Sequence, residues 1–186
     1  GLEGVGVGVE RGYIRINEKM QTSVPHIYAI GDVTGKMLLA HVASAQGVAA
    51  AETIAGVETR PLDYRKMPRA TYCQPQVASF GLTEREAQEE SRRVKVGRFP
   101  FIANGKALAF GETEGFAKVV VDADSGEILG AHLVGSEVTE LLGELSLANL
   151  LEGTSREVGW LVHLHPSLSE VVREAALAAD GEAIHI

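Results

Sequence analysis

The segment GFAKVVVDADSGEILGAHLVG, residues 115–135, constrains the fold most, because it holds two apolar runs separated by a short polar turn. Each run is long enough for a strand, and Asp-Ser-Gly between such runs is typical of a β-hairpin loop. A further strand is predicted over 92–101, and helical patterns follow over 137–153 and 169–180. Strands followed by helices predict an α+β layer, an antiparallel sheet covered on one face by helices.

Two capping boxes mark where helices begin in this region. Thr83 is followed three residues later by Glu86, and Thr154 by Glu157, a spacing at which each side chain can bond the other residue's backbone N–H. These boxes predict helices just after Thr83 and Thr154, and Gly153 is expected to end the helix that precedes the second box. Before the first box, ATYCQPQVASFG holds two short strand-like pieces.

The first sixty residues follow the pattern of an α/β unit. GYIRIN (12–17) alternates apolar and polar side chains, which predicts a half-buried strand. VPHIYAIGD (24–32) predicts an apolar strand, and the Ala-rich segment 38–56 predicts a closely packed helix stopped by Gly56. The order strand, Gly-Asp, loop, helix is typical of doubly wound α/β domains.

The polar stretch ETRPLDYRKMP (58–68) separates the two patterns, so we predict two domains, 1–61 and 62–186. The chain opens GLEGVGVGVERG without an initiator methionine, which predicts a part of a longer protein. These glycines do not form a dinucleotide fingerprint, because a strand and not a helix follows them.

Composition excludes several classes of function. The net charge is −8 and no run of Lys or Arg stands out, which argues against nucleic-acid binding. No apolar run approaches the roughly 18 to 20 residues of a membrane helix. A single cysteine allows no intrachain disulfide, which favours a reducing compartment and predicts a cytoplasmic protein.

Gly31 and Asp32 lie where a ligand would sit if 24–32 is a strand of an open α/β sheet, beyond its carboxyl end. Gly31 would permit close approach, and the Asp32 carboxylate can accept hydrogen bonds from hydroxyl groups. The helix that follows would direct its positive dipole end toward the same space. The alternative, an aspartate that ends a strand or caps a turn, stays open.

HLHPSLSE (163–170) allows two interpretations of Glu170. Its position three residues after Ser167 fits a capping box for the last helix. Alternatively, a carboxylate that accepts from one ring nitrogen of His165 would leave the other nitrogen free as a base. The proline after His165 could hold a bend that aims the ring, and a cis bond is one way to do so. The motif alone leaves both interpretations open.

Metal binding and thiol chemistry are not expected. His163 and His165 at strand-like spacing could share one side, but a zinc site needs three or four ligands and no matching Cys/His pair is present. Cys73, in the strand-like TYCQPQ, is expected to be a buried small apolar residue and not a nucleophile.

Five segments occur in the order found in a known family: IYAIGDV, LAHVASAQG, VASFGLTE, GETEGFAKVVVDADSGEILGAHLVG and HLHPSLSE. Over nearly the whole chain they resemble the C-terminal part of the dihydrolipoamide dehydrogenases, in the pyridine-nucleotide disulfide oxidoreductase family. The resemblance implies the C-terminal part of a doubly wound FAD-binding domain (1–61), followed by an antiparallel interface domain (62–186).

The resemblance also implies residue roles. Asp32, after Gly31, matches the aspartate that hydrogen-bonds the ribityl chain of FAD. His165 matches the catalytic base, and Glu170 the carboxylate that orients it. A segment at the start of the first long helix would face the flavin with its backbone: Leu38, Leu39, Ala40 and His41.

The implied activity is oxidation of dihydrolipoamide to lipoamide, with electrons passing through a redox disulfide and FAD to NAD. The implied assembly is a homodimer through 62–186, in which His165 and Glu170 serve the disulfide of the other subunit. Docking on the acyltransferase core of a 2-oxo acid dehydrogenase complex is left open. Cys73 does not replace the family's redox cysteine pair, so this chain by itself is expected to be inactive.

Two alternatives remain. One is another disulfide reductase of the superfamily, similar to glutathione or mercuric reductase. The other is a non-catalytic dimerisation fragment. HLHPSLSE favours the lipoamide enzymes, because relatives of glutathione reductase usually have a different ending after His-Pro.

Overall fold

A computed structural model describes residues 1–185, which form two compact units that divide between Tyr64 and Arg65. The domain assignment of 1–61 and 62–186 stays a prediction, and its last residue lies outside the described residues. None of the helices in residues 1–185 is long and apolar enough to cross a membrane.

The first unit contains a small hairpin and one long helix. Strands β1 (Val9–Glu10) and β2 (Tyr13–Ile14) pair antiparallel. The turn residues Arg11 and Gly12 have φ of 51° and 87°, and positive φ at both positions is what a two-residue hairpin turn requires. The strand predicted over 12–17 therefore forms only at Tyr13–Ile14.

Helix α1 (Ala40–Ala55) ends at Gly56, as predicted for 38–56. Gly56 has a φ of 69°, the left-handed conformation that ends many helices. The buried side of α1 presents Ala49 and Ala50 to the fully buried Met20. Small side chains on this face permit the close packing that the Ala-rich sequence predicts.

The prediction of a strand over 24–32 is wrong. Tyr28 forms one isolated bridge to Gln21, and Gly31–Thr34 forms a short 3₁₀ turn. The backbone groups of the segment bond to the residues just before it, with Ala29 N–H donating to Met20 O at 3.1 Å. Local pairing satisfies the backbone here, and an apolar run of this length does not by itself distinguish a strand from an irregular buried segment.

The second unit is built on a five-stranded antiparallel sheet of order β3-β4-β7-β6-β5. Its strands are β3 (Arg69–Thr71), β4 (Gln76–Gly81), β5 (Val94–Pro100), β6 (Phe116–Asp122) and β7 (Ile128–Gly135). The central pair, β6 and β7, is the predicted hairpin, with Phe116 opposite Val134 and a register shift at Val120/Val121. The expected antiparallel sheet is confirmed.

Within the described part of the second unit, five helices accompany the sheet: α2 (Glu84–Glu89), α3 (Gly105–Phe110), α4 (Val138–Leu150), α5 (Ser155–Trp160) and α6 (Glu170–Ala179). Both predicted capping boxes are present, at Thr83 before α2 and at Thr154 before α5. Helix α4 ends at Leu150, three residues before the predicted stop at Gly153. Helix α3 was not predicted; its N-cap is Asn104, whose side chain accepts from Ala107 N–H.

Helices α4 and α6 lie on the face of the sheet that forms the main core. That core joins buried strand residues such as Phe80, Phe99 and Leu133 to Leu145 of α4 and Val172 of α6. The other face is partly covered as well, because Ala87 of α2 packs with Val120 and Leu129. The expectation that helices cover one face only is therefore wrong.

Gly97 of β5 sets how closely α6 approaches the sheet. A Cβ at this position would lie 1.9 Å from Ala175 O and 2.5 Å from Ala179 N. No other residue fits, because both neighbours are helix backbone and not a flexible side chain. This close approach fixes the position of α6, which begins at Glu170.

Candidate active site

His165 lies in the middle of the α5–α6 loop (residues 161–169), and Glu170 is the first residue of α6. His165 Nδ1 is 2.9 Å from Glu170 Oε1. The His165 side chain is 78% exposed and that of Glu170 is 24% exposed. Within residues 1–185, no group hydrogen-bonds His165 Nε2, so the pairing leaves this nitrogen available to a substrate.

The second oxygen of Glu170 caps the loop. Glu170 Oε2 accepts from Ser167 N–H at 2.9 Å. The N-cap of α6 is Ser169, which makes no side-chain cap hydrogen bond, so the reciprocal half of the capping box predicted from Ser167 does not form. Ser167 Oγ pairs with Ser169 Oγ at 2.8 Å instead. One carboxylate thus makes both of the contacts that the sequence left as alternatives, each with a different oxygen.

Glu170 is ionised at neutral pH. Partial burial opposes its ionisation, but the Ser167 N–H and His165 donors outweigh burial and hold the pKa of Glu170 below its ordinary value. An ionised carboxylate can only accept, so Nδ1 of His165 carries the proton of the 2.9 Å contact and Nε2 is the basic nitrogen.

The α5–α6 loop is fixed on both sides of His165. Beyond it, the buried side chain of Asn104 donates through Nδ2 to Ser167 O at 3.0 Å. Before it, His163 contacts Glu144 of α4 at 2.9 Å and Leu161 O at 3.0 Å. The His165–Pro166 peptide bond is cis.

His163 and His165 do not share a side. The His163 side chain is 4% exposed, in contrast to that of His165. Among residues 1–185 no cluster of three or more His, Cys, Asp or Glu is arranged to hold a metal ion. The strand-like spacing of the two histidines therefore does not bring them to one site.

In the first unit, Gly31 and Asp32 open the 3₁₀ turn that packs against α1. Gly31 is buried with a φ of 76°, and its N–H donates to Gln46 Oε1 at 2.6 Å. Asp32 is exposed. The structure therefore holds Gly31 in a conformation that favours glycine and turns the Asp32 carboxylate to the surface.

The start of α1 carries the remaining predicted residues: Leu38, Leu39, Ala40 and His41. Leu39 is the N-cap and makes no side-chain cap hydrogen bond. Leu38, Ala40 and His41 are exposed, and Leu39 is half-buried. No side-chain cap at Leu39 accepts from the first N–H groups of α1. These N–H groups and the positive end of the helix dipole suit a partly anionic ligand.

Three residues that support these sites were not found from the sequence. Gln46 is fully buried in α1 and bonds both Gly31 N–H and Tyr64 Oη. Asn104 and Glu144 anchor the α5–α6 loop from distant parts of the chain. Of the three, Gln46 had a local signal, because it is a polar residue flanked by Ala45 and Gly47 in a helix of mostly small residues.

The prediction that Cys73 is buried in a strand is wrong. Cys73 is exposed and lies between β3 and β4, with its Sγ 3.0 Å from Pro75 O. Proline has no N–H to give to a sheet ladder, so pairing resumes only at Gln76.

Two family models match the chain. The model described as the dimerisation domain of pyridine nucleotide-disulphide oxidoreductases matches residues 67–176. The model described as pyridine nucleotide-disulphide oxidoreductase matches residues 1–47. The first match includes His165 and Glu170, and the second includes Gly31, Asp32 and the start of α1.

Known proteins give similar matches. The chain is 57% identical to a dihydrolipoyl dehydrogenase of Corynebacterium glutamicum and 51% identical to one of Bacillus subtilis, in each case over the whole of this chain. It spans about two fifths of the length of these relatives, 40% and 39%. Among solved structures, LpdA of Mycobacterium tuberculosis superimposes with a TM-score of 0.89 at 29% identity, over 95% of this chain and 39% of LpdA.

Proposed function

Because this chain belongs to the pyridine nucleotide-disulphide oxidoreductase family, we propose that it is the base-bearing and dimerising part of a dihydrolipoyl dehydrogenase. The whole protein would oxidise dihydrolipoamide to lipoamide and reduce NAD. The observation that carries the proposal is the 2.9 Å contact between His165 Nδ1 and Glu170 Oε1, which leaves Nε2 as a base. The names of the similar proteins support the choice of substrate.

In this proposal His165 Nε2 takes the proton of a dihydrolipoamide thiol. The sulfur becomes a thiolate, the form that attacks a disulfide. Glu170 stabilises the imidazolium formed, and the Nδ1–H contact keeps the ring in one orientation. The disulfide belongs to the rest of the protein, since this chain has one cysteine and Cys73 lies in a loop between two strands.

The first unit fits one part of an FAD site. The exposed Asp32 can accept from ribityl hydroxyls, and α1 begins without a side-chain cap. Gly31, where a Cβ would lie 3.4 Å from Ala43 Cβ, lets the 3₁₀ turn lie close to α1. The residues proposed to face the flavin with their backbone are Leu38, Leu39, Ala40 and His41. FAD, when bound, passes electrons between the disulfide and NAD.

The family model supports a homodimer, and we place its interface in residues 62–186. Large apolar side chains are exposed on and after α4 and α5: Leu147, Leu150, Leu151, Trp160, Leu161, Val162 and Leu164. Exposed apolar groups that form a patch usually mark a protein interface. Three of these residues belong to the α5–α6 loop, so dimerisation through this surface would bring His165 to the partner subunit's disulfide. A cytoplasmic location and docking on an acyltransferase core complete the proposal.

The test uses the full-length protein that carries this chain. We expect dihydrolipoamide-dependent NAD reduction, and no comparable NADPH-dependent reduction of glutathione disulfide. His165→Gln should lower the dihydrolipoamide rate about 10²-fold to 10⁴-fold, the usual share of a general base. Its FAD content should be unchanged, because His165 lies in the second unit. Undiminished turnover in this variant would refute the assignment of the base.

A further inference from the structure

A second histidine–glutamate pair lies two residues before the proposed base. His163 Nε2 is 2.9 Å from Glu144 Oε1, and His163 Nδ1 is 3.0 Å from Leu161 O. Glu144 as a carboxylate and Leu161 as a carbonyl can only accept. Both ring nitrogens must therefore carry a proton to make both contacts, so the geometry selects the imidazolium form of His163.

The charges around His163 favour the same form. The hydrogen bond with Glu144 raises the pKa of His163 above its ordinary value, against burial and the nearby Arg173. Helix α6 contributes the other groups facing this region, Glu170, Arg173 and Glu174, which line a cavity of about 220 Å³ together with His185. The Glu174 carboxylate already accepts from His185 Nδ1 and Ile184 N–H, so Glu144 is the direct counter-ion of His163.

The pair spans two structural elements. Glu144 belongs to α4, a helix packed on the core of the sheet, and His163 belongs to the α5–α6 loop. Ser167, held by Asn104, is the next fixed point of the loop. His165 lies midway between these anchors, and its ring is hydrogen-bonded by the side chain of Glu170 at the start of α6. The direction of the His165 ring therefore depends on both anchors.

We propose that His163 and Glu144 are positioning residues for the thiol oxidation proposed above: their ion pair holds the α5–α6 loop on α4 and so aims His165 at the partner subunit. The inference rests on that proposed function. Neither side chain needs to touch the substrate. The pair acts by keeping the base within the narrow range of geometry that proton transfer demands.

The proposal makes the activity depend on the charge of a residue that does not react. Loss of the His163 proton leaves a ring lone pair facing an oxygen, which breaks one of its two contacts. The loop is then released from α4 or from Leu161, and the rate should fall at alkaline pH. Removing the Glu144 charge favours the neutral ring and should move this fall to lower pH.

The experiment compares Glu144→Gln with Glu140→Gln in the full-length flavin-loaded enzyme. Glu140 is exposed one turn earlier on the same helix, so both variants change the net charge equally. Glu144→Gln is expected to lower kcat for dihydrolipoamide oxidation about 10-fold to 100-fold, as misplacement of a catalytic group does. KM should stay constant and the alkaline limb of the pH–rate profile should move to lower pH. Glu140→Gln should resemble wild type.

Glu144→Asp is the second variant. It keeps the charge, so the alkaline limb of its pH–rate profile should stay near the wild-type position even if kcat falls. If Glu144→Gln loses flavin, this variant tests whether the position of the alkaline limb depends on the Glu144 charge. Overlapping pH profiles of Glu144→Gln and Glu140→Gln, or an Asp variant whose limb moves to lower pH, would overturn the inference. A wild-type protein without dihydrolipoamide-dependent NAD reduction would instead refute the proposed function.

Discussion

At the scale of single residues, Glu170 joins two tasks that usually belong to different side chains. Its Oε1 contacts His165 Nδ1 and its Oε2 accepts from Ser167 N–H, both at 2.9 Å. Capping contacts of this kind stabilise helix termini, and carboxylate–imidazole contacts set the tautomer of a base. A substitution at this position can therefore change stability, catalysis or both.

Two substitutions at Glu170 separate the tasks. Glu170→Ala should cost about 0.5 to 2 kcal/mol in the free energy of unfolding, the usual price of losing a cap, and should also change the pH–rate profile. Glu170→Gln keeps an oxygen for Ser167 N–H but removes the charge that stabilises the His165 imidazolium. It should leave stability near wild type and still change the pH–rate profile.

Denaturant unfolding and pH–rate profiles of the same preparations measure both effects. If Glu170 only caps α6, the Ala variant loses stability while its profile stays in place. A Gln variant that loses as much stability as the Ala variant would show that the Ser167 contact needs the full charge.

The sequence was most informative at residues whose partners are near in the chain. Both capping boxes, the Asp-Ser-Gly turn and the possible link from His165 to Glu170 lie within five residues of their partners and were predicted. Glu144, Asn104 and Gln46 were not, because each acts on a residue 15 or more positions away. Such contacts are fixed by the packing of whole elements.

At the scale of elements, the position of α6 is determined by Gly97. The helix backbone lies so close to β5 that a Cβ at Gly97 would overlap Ala175 O. The sheet and its hairpin were predictable because alternation and turn residues are local signals. The strand prediction over 24–32 was wrong because it depended on a non-local property: an apolar run does not reveal whether neighbouring strands will pair with it.

Gly97→Ala should destabilise the second unit by at least about 1 to 3 kcal/mol, the usual cost of overpacking, because backbone cannot move aside as a side chain can. Gly143→Ala is the matched control. Gly143 lies on the exposed side of α4 with open space at its Cβ position, and the change should add about 0.5 to 1 kcal/mol of helix stability. Thermal and denaturant unfolding compare the two variants.

Equal stability of the Gly97→Ala variant and wild type would contradict the close approach of α6 to β5. A shifted α6 would also move Glu170, so a stable variant with reduced dihydrolipoamide turnover would indicate adjustment of the helix and not of the strand.

At the scale of the whole molecule, the two units carry different parts of the proposed chemistry. The first offers residues for a flavin, and the second offers a base and an apolar surface. The fold class of the second unit and the family were predictable from motifs in order. The exposure of Cys73 and the helix on the second face of the sheet were not, because each depends on tertiary packing.

Stability should depend on pH in a predictable way. Burial opposes the ionisation of Glu174, but hydrogen bonds from the His185 ring and from the N–H groups of Ile184 and His185 outweigh it and lower the pKa of Glu174. The hydrogen bond from Lys95 lowers the pKa of Asp180. Their contributions are present above the unfolded-state pKa values and are lost as pH falls through the folded values. His163 has a raised pKa, so its contribution is complete below the ordinary value and is lost as pH rises through the folded one.

The expected profile therefore has an acidic limb from carboxylates and a separate alkaline limb from His163. Unfolding midpoints across pH measure both limbs. Glu144→Gln should weaken the alkaline limb and leave the acidic one, whereas Glu140→Gln should leave both. If the alkaline limb is unchanged in Glu144→Gln, the limb arises from a group other than His163.

The double duty of Glu170 also bears on how such an enzyme can evolve. Replacing an active-site group commonly relieves strain and yields a sturdier but inactive protein. Truncation of Glu170 gives no such gain, since losing the whole side chain removes the contact with Ser167 N–H as well as the contact with His165. Selection for stability and selection for turnover should then both act against truncation at this position. Substitutions that stabilise the protein but abolish its activity should be found elsewhere in the chain.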